Sequence, residues 1–363
     1  DSLSIQLYGE WRLTVVAGFA APLPAFDQLP MLKWVQTRPG DNAAAVMNRA
    51  ARGEAADWLG ILPAGVRLEP HFLMTCADYI NLRPHWRLIY TDDDTLQADG
   101  GYGDPRFKPD LNPDLLRSMD YLGLFLIEAE AFVTAGGHSP LVGAEGYDLA
   151  LRVFERCGEG AMGHVSDVLC HLPARTRTAG APEAEREALR RHLARTGRDA
   201  EVGPGYRPYL HRVVYRHADT PLVSILVPTK DREELIRPCI DSLLEKTTYP
   251  NFEVIIVDNQ SSAPAVLQYY EELTSRDPRV RLLHYPRPFN FSAICNLGAD
   301  AARGDYLLLL NNDTRIVQGE WLERMMSHAQ RPEVGAVGAR LVYPQTGRVQ
   351  HAGVVLGLNH VAD

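Results

Sequence analysis

The feature that most constrains this chain of 363 residues is an internal repeat without gaps. The stretch NAAAVMNRAARGEAADWLGILPAGVRL, from Asn42, returns as NFSAICNLGADAARGDYLLLLNNDTRI, from Asn290, an offset of 248. The same offset pairs Asn48 with Asn296, Asp57 with Asp305, Trp58 with Tyr306, Arg67 with Arg315 and Pro84 with Pro332. Further upstream, YGEWRLTVVA pairs with YPNFEVIIVD at an offset of 241, so one loop differs in length between the copies. A constant offset over this many positions points to a duplicated domain, and any fold assigned to one copy must also suit the other.

The second copy alternates short apolar runs with amphipathic stretches. The strands are LVSILVPT, FEVIIVDN, RVRLLHYP and DYLLLLNND; the helices between them are REELIRPCIDSLLEKT, APAVLQYYEELTSR and SAICNLGADAA. Such alternation predicts an α/β fold with a largely parallel sheet. Ligands of such sheets bind outside the carboxyl ends of the strands. Here those ends read PTKDRE, DNQSS and NNDT, which places three polar, turn-prone segments on one edge of the sheet. The first copy begins where CIDSLLEKTTYPNFEV stands in the second, so it is expected to lack the opening strand. The second stops at a point that the first passes by more than eighty residues, so the chain reads as a fragment of a longer protein.

Composition narrows the class. With 45% hydrophobic and 23% charged residues the chain is of ordinary globular type, and its net charge of −9 implies no general attraction to nucleic acid. The five cysteines include no CxxC pair, which argues against a disulfide framework or a zinc site and fits a reducing compartment. No apolar run is long enough to span a bilayer, and the opening DSLSIQLYGEW does not read as a signal peptide. A cytoplasmic location is the expectation, with docking on the inner face of the plasma membrane left open. Between the copies, residues 183–198 are rich in arginine and in glutamate. They predict a charged helix, either a solvated face or a contact with anionic lipid or a polyprenyl phosphate.

The segments VSILVPTKDR, NFEVIIVDNQSS, NLGADAARGDYLLLLNNDT and RPEVGAVGARLVYPQTGRVQHAGVVLG together resemble family 2 glycosyltransferases of the GT-A fold, over Pro221 to about Gly357. The arrangement is similar to tandem-domain, rhamnosyltransferase-like proteins of bacterial surface polysaccharide synthesis such as O-antigen. The first copy resembles the same family in IYTDDDTLQADGGYGDPRFKPDLNPDLL and GYDLALRV. The resemblance implies two GT-A-like, Rossmann-like domains in tandem, the first degenerate and the second truncated. Their expected bounds are 1–174 for the degenerate domain, 175–220 for the charged helix and linker, and 221–363 for the nucleotide-sugar-binding half of the second domain.

The resemblance also implies roles. Thr229 and Asp231 stand in the loop that contacts the nucleoside, and Asp258 at the carboxylate that accepts a hydrogen bond from the base. Asn311-Asn312-Asp313 stands at the DXD motif, with Asp313 as metal ligand. A hard oxygen donor suits Mg²⁺ or Mn²⁺ bridging a diphosphate, and Asn311 in place of an acid keeps an oxygen but removes a charge. The implied partners are a nucleotide-sugar donor and a glycan or lipid-linked glycan acceptor. The implied reaction inverts the anomeric centre with a carboxylate base, expected beyond Asp363; Glu145 in AEGYDLALR is the weaker candidate within the chain.

By the repeat, Asn311, Asn312 and Asp313 map to Pro63, Ala64 and Gly65, and Asp258 maps to Ala17. The first copy is therefore expected to have kept its fold and lost its donor site. Its Asp92-Asp93-Asp94, which align one strand later with Arg340-Leu341-Val342, read as a solvated acidic turn or a metal site. Asp148 and Arg152 read as a structural pair, and Asn48 and Asn296 as structural residues. His351 and Arg303 are each read as a ligand-facing or an ordinary structural residue, Arg303 toward phosphate. Phe289 and Phe291 are expected in the core. The rival reading is a non-catalytic scaffold or glycan-binding module. A dehydrogenase is disfavoured because no GxGxxG follows a strand, and a nucleotidyltransferase because PTKDRE contains no glycine.

Overall fold

A computed structural model describes residues 2–174 and 180–353, and the chain divides into two compact units, Asp1–Val213 and Val214–Asp363. The first unit opens with β1 (Leu13–Ala17) and β2 (Leu32–Gln36), which pair in parallel with Leu13 opposite Leu32. Helix α1 (Ala43–Arg52) follows, capped by Asn42, whose side chain accepts from the amide of Ala45. Next come β3 (Trp58–Gly60), β4 (Arg67–Leu68), α2 (Phe72–Leu82), β5 (Leu88–Leu96) and β6 (Tyr102–Arg106). After them lie α3 (Pro113–Ser118), β7 (Phe125–Glu128), α4 (Ala129–Thr134), α5 (Glu145–Cys157) and β8 (Met162–Pro173). The main sheet runs β3-β7-β5-β8-β4, with β6 added to β5.

Only β5 and β8 are parallel in that sheet; the remaining pairs are antiparallel. The α/β class holds, but the expectation of a mainly parallel sheet is corrected for this unit. The turn between β5 and β6 is of hairpin length, and such a connection yields only an antiparallel neighbour.

Helix α6 (Ala181–Arg195) buries Ala188, Leu189, His192 and Leu193. Glu155 of α5 fastens it, accepting from Arg195 at 2.7 Å and lying 2.7 Å from His192 Nδ1. The helix expected in a segment of its own is thus packed into the first unit. Its arginines pair along the helix, half-buried Arg186 and exposed Arg190 with Glu183, and exposed Arg191 with Glu187. The division between units falls within the two-stranded pair of β9 (Ala200–Pro204) and β10 (His211–Tyr215), upstream of the Pro221 boundary expected from sequence. Residues 175–179 and 354–363 of the expected spans lie outside the described residues.

The second unit comprises β11 (Val223–Thr229), α7 (Glu233–Lys246), β12 (Phe252–Asp258), α8 (Pro264–Arg276) and β13 (Val280–His284). It continues with α9 (Phe291–Ala301), β14 (Tyr306–Leu309), α10 (Trp321–Ala329) and the hairpin of β15 (Leu341–Val342) and β16 (Val349–His351). Four strands form a sheet in the order β13-β12-β11-β14, every pair parallel. Both faces are covered over β11 and β12, as such sheets require, while Leu307 and Leu309 of the edge strand β14 stay 52% and 59% exposed. Val223, Ile225, Val227, Val254 and Ile256 pack with Ile236 and Ile240 of α7 and with Tyr269 and Leu273 of α8. The alternate residues Leu226, Ile255 and Val257 pack with Ile294 of α9. Gly298 lets α9 approach closely, since a Cβ there would lie 3.1 Å from Val257 and 3.3 Å from Leu226. That approach sets the position of the amino end of α9 at the carboxyl edge of the sheet.

Two correspondences link the units. Asn290 caps α9 through the amide of Ala293, as Asn42 caps α1. Val254 of β12 stands opposite Val280 of β13, the positions that the two repeat offsets assign to the Leu13–Leu32 pair. One difference is equally plain. Strand β11 pairs with both β12 and β14 and joins them into one sheet. Among described residues 2–12 there is no strand, and β1 with β2 forms a sheet separate from β3.

Candidate functional site

The carboxyl ends of β11, β12 and β14 bring three loops together. Thr229 lies opposite Asp258, the amide of Asn259 donates to Thr229 O, and the amide of Leu310 donates to Leu226 O. Asn312 Nδ2 then donates to Thr229 Oγ1 at 2.9 Å, tying the NND segment to the end of β11. Asn311 presents its carbonyl to the Thr314 hydroxyl (2.8 Å), while its side chain and that of Asp313 are exposed. Cys239, whose thiol is pushed up chiefly by burial, lies 3.6 Å from the same carbonyl.

Asp258 is only 2% exposed. It accepts from the amide of Ser261 (3.1 Å), from the Ser261 hydroxyl and from Tyr270 (3.3 Å). Burial holds the Tyr270 phenol well above its ordinary value, so it stays a neutral donor. The carboxylate expected to meet a nucleobase thus has its oxygens engaged in holding the loop after β12. Asp231 locks the neighbouring loop to it: its carboxylate accepts from the amides of Ser262 (2.7 Å) and Ala263 (2.9 Å), and its own amide donates to Ser261 Oγ. Those amides, Ala263 foremost, hold the Asp231 carboxyl below the usual range. Asp231, Arg232 and Gln260 have φ of 48°, 60° and 63°, a left-handed conformation that costs non-glycine residues energy. Concentrated strain of this kind accompanies functional loops.

Beside these loops is a cavity of about 250 Å³. Its polar side is formed by Thr229, Lys230, Asn259, Asn311 and Asn312, and its apolar side by Pro228, Ile294, Phe289 and Phe291. The two phenylalanines, expected in the core, are 73% and 49% exposed and form its rim. The reason is positional. Phe291 opens α9 one turn before Ile294, the first residue of the helix that is buried. Lys230, Asn259 and Ser261 were also missed as site residues; the signal for all three was their adjacency to strand ends in PTKDRE and DNQSS.

Arg303 is not in this site. Its amide donates to Glu253 Oε1 near the start of β12, and it precedes β14, so it stands at the opposite, amino-terminal edge of the sheet. The phosphate-facing expectation for Arg303 is corrected accordingly. His351 is exposed on β16, paired in register with Leu341, and does not line the cavity.

A divalent cation can be tested against these residues. Among the described residues no three His, Cys, Asp or Glu side chains converge as a cation site. Asp313 offers one exposed carboxylate, with the Asn311 amide two residues away. Mg²⁺ is commonly held by one or two carboxylates together with substrate phosphates. The donor set fits a cation that arrives with a diphosphate, not one caged by protein alone.

In the first unit the equivalent loop, Pro63-Ala64-Gly65, has no side-chain donor, and Gly65 adopts φ of +92°. Asp92, Asp93 and Asp94 are neither a solvated turn nor a free metal site: they lie in β5, 3%, 1% and 7% exposed. Each has a basic partner, His164 at 2.9 Å for Asp92, Lys108 at 2.7 Å and Arg106 for Asp93, and His171 at 2.7 Å for Asp94. Asp148 pairs with Arg152 at 2.8 Å, and Arg152 also donates to the carbonyls of Ala135 and Gly137. Asn48 grips the backbone of His138 through both its amide oxygen and nitrogen. Glu145 opens α5 half-buried and accepts from the amide of Gly143 at 2.9 Å.

Residues 224–353 match the sequence profile of Glycosyl transferase family 2. Over 99% of its length the chain is 40% identical to the O-antigen biosynthesis protein RfbC of Myxococcus xanthus, covering 29% of that protein. Over its whole length it is 35% identical to the uncharacterized protein y4gI of Sinorhizobium fredii, covering 42% of it. The chain thus spans less than half the length of either curated relative. Among solved structures it is similar to the mannosyltransferase PcManGT of Pyrobaculum calidifontis in complex with GDP-Man and Mn²⁺, with 21% identity, a TM-score of 0.32, and coverage of 46% of this chain and 45% of that one. The chain thus carries a Glycosyl transferase family 2 domain over residues 224–353.

Proposed function

We propose that the second unit binds a nucleotide-sugar donor at the carboxyl edge of its sheet, and that the protein transfers the sugar, with inversion, to a growing glycan or lipid-linked glycan. The observation that carries the reading is the meeting of the NND segment with the end of β11, through Asn312 and Thr229, beside an open cavity. Asp313 and Asn311 would hold Mg²⁺ or Mn²⁺, which when bound neutralises the charge growing on a nucleoside diphosphate leaving group. Thr229 and Lys230 face the cavity where the donor would lie, and Lys230 supplies a positive charge for phosphate. Asp258, Ser261 and Asp231 act as positioning residues that keep the two loops in register. The acceptor hydroxyl needs a carboxylate base on the face away from the leaving group. Glu145 belongs to the first unit and is not assigned that role.

In the same reading the first unit is a degenerate copy of the second, related by duplication. The shared helix cap and strand register support this, as does the replacement of every donor-site side chain at the end of β3. A cytoplasmic protein working at the inner membrane face suits a lipid-linked acceptor, and among the described residues no helix is long and apolar enough to cross a membrane.

The test is calorimetric titration of the chain with nucleoside diphosphates, with and without Mn²⁺. Binding that Mn²⁺ strengthens and that Asp313→Ala weakens on the order of 100-fold is expected. No binding to any of them, or binding that Asp313→Ala leaves unchanged, overturns the donor-site assignment.

A further inference from the structure

The mechanism above leaves the most exposed part of the cavity without a task. Phe289 and Phe291 put two aromatic side chains on its rim, 73% and 49% exposed. Exposing so much aromatic surface is unfavourable for the free protein unless a ligand covers it. Their placement is fixed from two directions. Asn259, 2% exposed, donates from Nδ2 to the carbonyls of Tyr285 and Arg287, holding the chain that leads to Phe289. Asn290, between the two rings, caps α9 through the amide of Ala293 and so orients Phe291. The same Asn259 lines the cavity with Lys230. A flat apolar rim is therefore held rigidly beside amide groups and one cation.

We propose that Phe289 and Phe291 form a stacking platform for the nucleobase of the donor. The inference rests on the donor reading and adds a base-binding element to it. A nucleobase is planar and presents polar edges, so it suits an aromatic face bordered by asparagine amides, and the diphosphate attached to it is directed toward Lys230 and the NND segment. Because stacking accepts any base, the rings supply affinity and not discrimination between bases.

The experiment uses the whole chain and measures affinity for UDP, GDP, ADP and dTDP in Mn²⁺ and for the matching nucleoside monophosphates without metal, in Phe289→Ala, Phe291→Ala and the milder Phe291→Leu. Circular dichroism confirms that each is folded. The expected result is a loss of about tenfold for diphosphate and monophosphate alike in at least one alanine variant, with the leucine variant only partly restored. Nucleotide binding that both alanine variants leave unchanged overturns the platform while sparing the donor site. A loss seen with the diphosphates and absent with the monophosphates also overturns it, assigning the rings to the diphosphate end instead. Failure of every nucleotide to bind the unmodified chain overturns the donor reading itself, and the platform with it.

Discussion

Strands β3 and β14 stand at equivalent places in the repeat, yet the loops that leave them have opposite characters. After β14, two asparagines and an aspartate meet the end of a neighbouring parallel strand, and one of them bonds to Thr229. After β3, Pro63, Ala64 and Gly65 offer no side-chain oxygen, and no counterpart of β11 among the described residues pairs with β3. The acids of the first unit went elsewhere. Asp92, Asp93 and Asp94 are buried and paired with bases, whereas Asp313 is exposed beside an open cavity. The contrast teaches that an acid's neighbours, not its presence in a motif, decide whether it holds structure or is free for a ligand. Buried charge must be matched within the fold, while a ligand-binding charge must not be.

The contrast can be broken most severely at Lys108. It is 4% exposed in its side chain and bonds Asp93 together with the carbonyls of Thr91 and Leu122. Lys108→Met leaves Asp93 buried with Arg106 alone and should destabilise the first unit by about 3 kcal/mol. Urea unfolding followed by tryptophan fluorescence reads this out, since four of the five tryptophans lie in the first unit and only Trp321 in the second. An unchanged midpoint would mean that the acidic strand does not depend on its bases.

Asp313→Ala should show the reverse pattern. Unfolding stays where it is, within about 0.5 kcal/mol as for other exposed sites, while cation-dependent nucleotide affinity drops on the order of 100-fold, about 2.7 kcal/mol. A large shift in stability would make Asp313 a structural acid after all.

Grafting the motif sharpens the comparison further. Pro63→Asn, Ala64→Asn and Gly65→Asp together restore the side chains but place aspartate at φ of +92°. A cost of about 1–2 kcal/mol and no gain of nucleotide binding are expected. Acquired binding in the graft would show that side chains alone separate the two units.

The smallest effect is on pH dependence. Burial, ahead of all other causes, holds His138 and His192 of the first unit below the ordinary histidine value of 6.5. The unfolded chain takes up those protons at higher pH than the folded one. Their contribution is therefore fully present above pH 6.5 and is lost as pH falls below it, by up to about 1.4 kcal/mol per pH unit for each histidine. Acidification from pH 7.5 to 5.5 should lower the first unit's unfolding midpoint, and His192→Gln should flatten that slope if the assignment is right.

Much of this was legible in the sequence because periodicity and offset are local signals. The apolar runs of the second copy became its four parallel strands, and the polar ends PTKDRE, DNQSS and NNDT met on one edge. Phe289 and Phe291 were misread because hydrophobicity alone predicts burial. That burial on α9 begins only at Ile294 is not written in their own residues. Of the two readings of Arg303 the structural one holds, because the residue stands just before β14 and so at the amino-terminal edge of the sheet. Asp258 ends its strand opposite Thr229, and its bonds to Ser261 and Tyr270 depend on a helix that only packing brings near.

By itself, then, the sequence determined the repeat with its constant offset, the α/β grammar and the absence of a side-chain oxygen at Pro63-Ala64-Gly65, since all are properties of residue order. Tertiary structure alone decided that the first unit's sheet is mixed, that its three aspartates are buried against Lys108, His164 and His171, and that two phenylalanines rim an open cavity. Those outcomes turn on which side chains meet across long stretches of chain, and desolvation, charge pairing and the edge of a sheet take effect only where such meetings occur.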